Sequence, residues 1–380
     1  MSIFQFLPPE YYNSFHYIAI FLMGLATVLF YMHAKQFSLF KNKAGVAFAI
    51  LFGVSMSFFW GMRPHDSRLF GDTWLYAYSY ENLSDVFVPF SFSSEWLWDD
   101  INYVLHSQGV STSLFFVIIE LLYVGLNLAA CWNLTRNNVW LSFLFCVSSF
   151  SFLSYGVNGI RNGLACSLVL FSISLFNNEE IKYGNVLASA MLLLAAIGVH
   201  SSVWFPIIGL LLSVTVVHDS RYAIAIWCGA IMFSLAMGDY MTNIIPEFEM
   251  ADSRLSDYLI AGENEYEQVK FSHTGFRWDF VLYSAIPIIM VYYVTIKRNF
   301  RDVTYNIISN TYILANSLWI IVIRASYSNR FAYLSWFIYP LVIAYPLVRM
   351  NLWDNQEKKA ALILLAYTGF TIFMNFVYYV

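Results

Sequence analysis

Apolar runs of 15 to 22 residues recur along this chain from end to end. Each approaches the roughly 20 residues that a helix needs to cross a hydrocarbon core about 30 Å thick. In that medium every backbone polar group needs an internal partner, so runs of this kind fold as α-helices. Charged residues make up 12% of the chain, hydrophobic ones 59%, and the mean hydropathy is +0.59. A soluble domain carries about 25% charge, so the sequence describes an all-α polytopic membrane protein. The runs fall near 16–32, 44–60, 113–134, 140–155, 161–176, 185–199, 202–217, 222–237, 280–296, 306–323, 331–348 and 360–377, predicting about 12 transmembrane helices. Short connections between the fourth and seventh leave room for re-entrant helices. No repeat, low-complexity tract or Pro/Gly linker divides residues 1–380, which read as a single integral membrane domain. The N-terminal stretch has no basic segment of the kind that precedes a cleaved signal.

Basic residues set the orientation. Lys35, Lys41, Lys43, Arg136, Lys182, Arg221, Lys297, Arg298, Arg301, Arg349, Lys358 and Lys359 all fall in six short loops on one side. By the positive-inside rule those loops are cytoplasmic. Both termini are then outside, as are two long loops, 61–112 and 238–279. Cys131, Cys146, Cys166 and Cys228 lie within apolar runs without CxxC spacing, which suggests neither a disulfide framework nor a metal site.

The outer face selects arginine. Seven of its eight basic residues are Arg63, Arg68, Arg161, Arg254, Arg277, Arg324 and Arg330, with Lys270 the exception. Lysine suffices to hold topology, whereas arginine offers a planar fork for phosphate or carboxylate. Seventeen acidic residues share that side, so ion pairing within the face competes with ligand binding as the reason for them. Arg161 is the most placed of the set. It follows the apolar run Trp140–Tyr155 at the start of another, where helix N–H groups favour an anion. Asn158, Arg161, Asn162 and Ala165 have the spacing of one helix face. Snorkelling to the headgroups is the competing reading.

Other candidates gather in the loops. His65, Asp66, Arg68 and Asp72 lie within eight residues, beside Trp74, Tyr76, Tyr78 and Tyr80. Carboxylates and an imidazole suit a general base, and aromatic faces suit sugar rings, although Trp and Tyr also form interfacial belts. The stretch Ser94–Ser107 reads as an amphipathic helix lying on the membrane. Arg277 returns beside Trp278 at the end of the second loop, and Arg324 and Arg330 bracket a short outer turn. His200 ends its helix on the outer side. Glu120 falls inside an apolar run, as a proton or ion site or as a buried group paired with Asn or Tyr.

The block Ser154–Ala165 with Arg161, the Gly198–His200 helix end and Asn329-Arg330-Phe-Ala-Tyr-Leu resemble the EpsG-type branch of the Wzy polysaccharide polymerases. The Asp72-Thr-Trp-Leu-Tyr76 segment is similar to that family's Asp-x-x-x-Tyr pattern. The resemblance runs from about residue 60 to 345. It implies a bacterial inner-membrane glycosyltransferase that joins undecaprenyl-pyrophosphate-linked repeat units of O-antigen, capsule or exopolysaccharide on the periplasmic side. It further implies an inverting, metal-independent reaction without cofactor, and Arg161, His200, Arg330, Asp72 and Tyr76 as the functional set. The implied partners are the lipid-linked donor and acceptor, the bilayer and a chain-length regulator membrane protein, with no nucleic acid.

Chemistry adds roles to these positions. Pyrophosphate gains negative charge as the anomeric bond breaks, and fixed arginines stabilise it. Arg161, Arg324 and Arg330 are the first choices for that task, with Arg277 next and Arg68, His65, Tyr76 and Asn158 lining the substrate. His200, Asp72 and Asp66 are candidates for the base that takes the acceptor's proton. Three alternatives stay open: a lipid-linked oligosaccharide flippase, an O-antigen ligase-like transferase and a proton-coupled transporter built on Glu120.

Overall fold

The computed structural model describes residues 7–33, 42–65, 67–83, 95–136, 138–177, 182–238, 240, 275–324 and 328–378. Among them there are helices and no strands. In chain order these are α1 (Tyr12–His33), α2 (Asn42–Gly61), α3 (Ser67–Phe70), α4 (Thr73–Glu81), α5 (Trp96–Ser107), α6 (Thr112–Leu134), α7 (Val139–Val147), α8 (Phe152–Val157) and α9 (Ile160–Ser174). There follow α10 (Tyr183–Val199), α11 (Trp204–Thr215), α12 (Ser220–Met237), α13 (Trp278–Val291), α14 (Val303–Ile321), α15 (Ser328–Trp336), α16 (Tyr339–Arg349) and α17 (Gln356–Phe373).

Each of the twelve apolar stretches holds a helix, yet length separates them. Among the described residues, seven helical segments are long and apolar enough to cross a membrane: Pro9–Met32, Lys43–Gly61, Thr112–Leu134, Ser220–Met237, Trp278–Lys297, Asn329–Arg349 and Gln356–Val377. Three apolar helices are shorter, Ile160–Ser174, Tyr183–Val199 and Ser201–Thr215. The stretch 140–155, expected as one helix, is broken into α7 and α8 around Ser148–Ser151. Nine residues of α7 rise only about 14 Å, and every one of them is buried within the protein. The Thr371 hydroxyl of α17 donates to the Ser148 carbonyl at 2.8 Å, filling an acceptor left by the break. α14 is long enough but carries Asn310, Thr311, Asn316 and Ser317 on buried positions.

The chain divides into two compact units, Met1–His200 with Ile343–Val380, and Ser201–Val342. In the first, α2 and α9 pack on α6, α10 packs on α9, and α1 packs on α17. In the second, α14 is the centre, flanked by α11, α12 and α15. Its Asn316 accepts from Trp227 Nε1 at 2.8 Å and donates to Ser284 Oγ and Ser335 Oγ at 3.1 and 2.9 Å. Polar side chains that lower the hydropathy of α14 thus find partners inside the unit, as burial away from water requires.

The first unit is fastened by one guanidinium. Arg63 is 1% exposed and donates to Glu120 Oε1 of α6 at 3.2 Å, the Trp60 carbonyl at 2.7 Å, Thr73 Oγ1 of α4 at 3.1 Å and the Val157 carbonyl of α8 at 3.1 Å. Thr73 Oγ1 donates to the same Val157 carbonyl at 2.8 Å. That carbonyl closes α8, where helical partners run out. The Arg63 Cζ lies 4.8 Å over the Phe116 ring. Glu120 therefore has an arginine for its partner, where the sequence offered a proton or ion site or a pairing with Asn or Tyr. Arg63, counted with the arginines free for a ligand, is spent on packing.

Removing one member of such a pair leaves an uncompensated buried charge. Arg63→Met should lower unfolding stability by about 3–5 kcal/mol, and Arg63→Met with Glu120→Leu should recover much of that loss. Denaturant or thermal unfolding in detergent measures both. A single variant as stable as the parent would contradict the role given to the clamp.

Candidate functional site

The Arg63 clamp holds together two ends that carry the sequence candidates: the start of α4, with Asp72 and Tyr76, and the end of α8, with Asn158 and Arg161 just beyond. Gly71 adopts φ +54°, and a Cβ there would stand 2.3 Å from Asn158 Oδ1. Only glycine accommodates both demands. Asn158 Oδ1 accepts from the Asp72 backbone N–H at 2.8 Å. Asn158 closes α8 and α9 begins at Ile160, so the single helix face expected for Asn158 and Arg161 is interrupted. The asparagine instead ties the α8–α9 corner to the start of α4.

Arg161 does stand in the first turn of its helix. Its guanidinium lies over the Tyr76 ring, 5.6 Å from Cζ to centroid, a cation–π contact worth about 0.5–2 kcal/mol. Nη1 donates to Glu95 Oε2. The other oxygen of that carboxylate, Oε1, bonds His200 Nδ1. One acidic residue thus joins Arg161 and His200, whose sequence separations from it are 66 and 105. Side chains of all three are nearly buried, 9–12% exposed. Each is therefore only thinly screened by solvent, which strengthens charge–charge interaction.

Glu95 escaped the sequence reading. It precedes α5, and the stretch that holds it was expected to lie on the membrane. Instead α5 packs onto the protein: Trp98 is buried and meets Tyr76 and Phe115 edge-on, with centroids 6.0 and 5.9 Å apart. Trp96 fills a place opposite Gly198, where a Cβ would come within 2.6 Å of the indole. Asp99, one turn on from Glu95, has its carboxyl pKa raised by burial first and then by Glu95, against the pull of Arg161. The only cue in sequence was an acidic residue immediately before two tryptophans.

The remaining candidates are less gathered. His65 packs on Phe116, with ring centroids 5.1 Å apart, and its Nε2 is buried without a hydrogen-bond partner among the described residues. Burial, and then Arg63, lower its pKa below the ordinary imidazole value against a pull from Glu81. Asp66 lies outside the described residues, as does the Arg68 side chain. In the second unit Arg277 makes a two-pronged pair with Asp279, 2.9 and 2.6 Å, and covers Phe280 at 3.7 Å. Its fork is thereby turned to a protein carboxylate. Arg324 lies 5.8 Å from the Phe276 ring centre, and Arg330 is half-buried near the start of α15. The second outer loop falls largely outside the described residues.

Apolar helices long enough to span a bilayer make this a multi-pass membrane protein, and one buried cluster joins a guanidinium, a carboxylate and an imidazole. The family model for the EpsG family matches residues 46–380, and the chain belongs to that family. No curated protein and no solved structure matches it. The match takes in every residue of the cluster, including Glu95.

Close packing of Trp96 on Gly198 sets the approach of Glu95 to His200. Gly198→Ala should cost about 1–3 kcal/mol through overpacking, and Trp96→Leu in the same chain should return part of it. Unfolding midpoints in detergent decide the matter. An alanine variant with an unchanged midpoint would show that the contact is slack.

Proposed function

We propose that this chain is a polysaccharide polymerase of the bacterial inner membrane, a glycosyltransferase that joins undecaprenyl-pyrophosphate-linked oligosaccharide repeat units. The observation that carries the proposal is the meeting of Arg161 and His200 on one carboxylate in a chain of the EpsG family. Glycosyl transfer from a lipid pyrophosphate needs a cation where the leaving group gathers charge and a base where the acceptor loses its proton. Arg161 and His200 are suited to those two tasks, with Tyr76 and Asn158 shaping the surroundings and Asp72 tied to Asn158. Arg324 and Arg330 are the second unit's candidates for phosphate, and Asp66, Arg68 and His65 are further candidates on the first outer loop. Arg277, already matched by Asp279, is the least suited of the arginines.

In this reading the acceptor hydroxyl gives its proton to the base, and its oxygen lone pair forms a bond to the anomeric carbon of the donor sugar. The anomeric C–O bond breaks on the opposite face, inverting that carbon, and its electron pair leaves with the pyrophosphate. The reaction has no use for a metal. The chain, one integral membrane domain, crosses the bilayer about twelve times, with short and broken helices counted among the crossings. Both termini and the two long loops are periplasmic, and a chain-length regulator is a fitting membrane partner.

Purified protein given lipid-linked repeat units should elongate them. Translocation across a vesicle without bond formation would name a flippase, and transfer to a different lipid acceptor a ligase. EDTA should leave elongation intact; loss restored by one divalent ion would reveal a metal site. Single cysteines near Ser93, Asn264 and Ser326 should react with an impermeant thiol reagent in cells with a permeabilised outer membrane. Those near Lys43, Lys297 and Lys358 should resist. Protection at Asn264 would remove the periplasmic assignment.

A further inference from the structure

We infer that Glu95 is a positioning residue for the transfer reaction, holding His200 as the base and Arg161 as the charge clamp through its two oxygens. The inference rests on the polymerase reading and goes beyond it by assigning a residue that neither the sequence motifs nor the family match singles out.

The geometry carries the assignment. An imidazole has two distinct nitrogens, and the partner of one decides what the other can do. His200 gives Nδ1 to the Glu95 carboxylate. An ionised carboxylate only accepts hydrogen bonds, so the proton of neutral His200 sits on Nδ1 and the lone pair on Nε2. Nε2 makes no hydrogen bond among the described residues, and the side chain keeps 9% of its surface open. That nitrogen is the one left to accept a proton from an acceptor hydroxyl. When it does, the ring becomes an imidazolium lying against a carboxylate, which stabilises it.

The second oxygen does different work. Arg161 Nη1 is bound to Oε2 and its guanidinium plane is steadied by Tyr76. A carboxylate between a guanidinium and an imidazole also stays ionised, because the guanidinium never gives up its proton. Proton uptake by His200 then draws on the same carboxylate charge that Arg161 shares. More of the Arg161 charge is left for the departing pyrophosphate at the moment that group becomes anionic. Base and clamp are thereby linked through one residue, and the proton, the new C–O bond and the leaving electron pair balance as in the reaction above.

Two packing features fit a positioning role. Glu95 stands immediately before α5, and Trp96 beside it is seated against Gly198, two residues ahead of His200. Asp99, about 6 Å of helix rise further along, has its carboxyl pKa raised by burial first and then by Glu95; the pairing with Arg161 keeps Glu95 directed toward the two functional groups.

The test is steady-state elongation by purified full-length protein, at matched folded protein, with the parent, Glu95→Gln, His200→Ala and the double variant. Gln keeps the size and an acceptor oxygen for Nδ1 but loses the charge. Its kcat should fall roughly 100- to 1000-fold, with the KM for the lipid-linked donor changed far less. The double variant should be no slower than His200→Ala, because residues that act as a unit are not additive. Glu95→Asp should regain part of the rate. A Gln variant near parental kcat, or losses that multiply in the double variant, would overturn the inference while the parent's elongation keeps the polymerase reading. A parent that does not elongate overturns both. Where Glu95→Gln fails to fold, Glu95→Ala with added formate replaces it: restored turnover supports the carboxylate's role, and no restoration contradicts it.

Discussion

A buried guanidinium with four hydrogen bonds ties the first unit together, and the placement of its functional groups depends on it. Arg63 bonds α6 through Glu120, α4 through Thr73, α8 through Val157 and the end of the preceding helix α2 through Trp60. A lysine has three donors on a single nitrogen, and a planar fork reaches separate acceptors in a way that a point charge does not. Taking two charges out of water is expensive, and the mutual attraction offsets the cost only when the remaining polar atoms are satisfied as well. Here the backbone supplies much of that satisfaction. The consequence for function is positional: the start of α4 and the end of α8 are held side by side, which sets Tyr76 beneath Arg161.

Glu95 then completes what the clamp prepares. Arg161 alone at a helix start is an anion site in waiting or a snorkelling side chain. Bound to a carboxylate that also bonds His200, it becomes part of a charge-balanced cluster at low exposure. A guanidinium already matched by an acid is a weaker general anion trap than a free one. In the proposed reaction it responds to the proton that His200 takes up. Arg277 offers the contrast: its acid, Asp279, is only two residues away, so that pairing is local.

Much of the fold is legible from hydropathy because backbone in lipid has few options, and each of the twelve apolar stretches holds a helix. Length was harder to read. A Ser-Ser-Phe-Ser break inside an apolar run carries little signal, since serine is accepted within membrane helices. The split of α7 from α8 reflects an acceptor filled by Thr371 from 223 residues away. The candidate site was half legible. Arg161, His200 and Tyr76 stand out by residue type and position, and the structure brings them together. Glu95 does not stand out, because nothing local distinguishes it from Asp99 or Asp100; only tertiary packing across 66 and 105 residues selects it. For the same reason Arg63 and Arg161 look alike in sequence, while one is sealed among backbone carbonyls and the other shares its acid with a histidine.

The central claim is that Arg161 takes part in the transfer through its fork as well as its charge. It is tested most directly by comparing elongation in Arg161→Lys with that in Arg136→Lys, a basic residue assigned to topology, at equal membrane levels. Losing one transition-state donor of this kind typically costs on the order of 100- to 1000-fold in rate. The account predicts that loss for Arg161→Lys, with surface glycan limited to a single repeat unit, and a nearly silent Arg136→Lys. Full-length polymer from Arg161→Lys would contradict it.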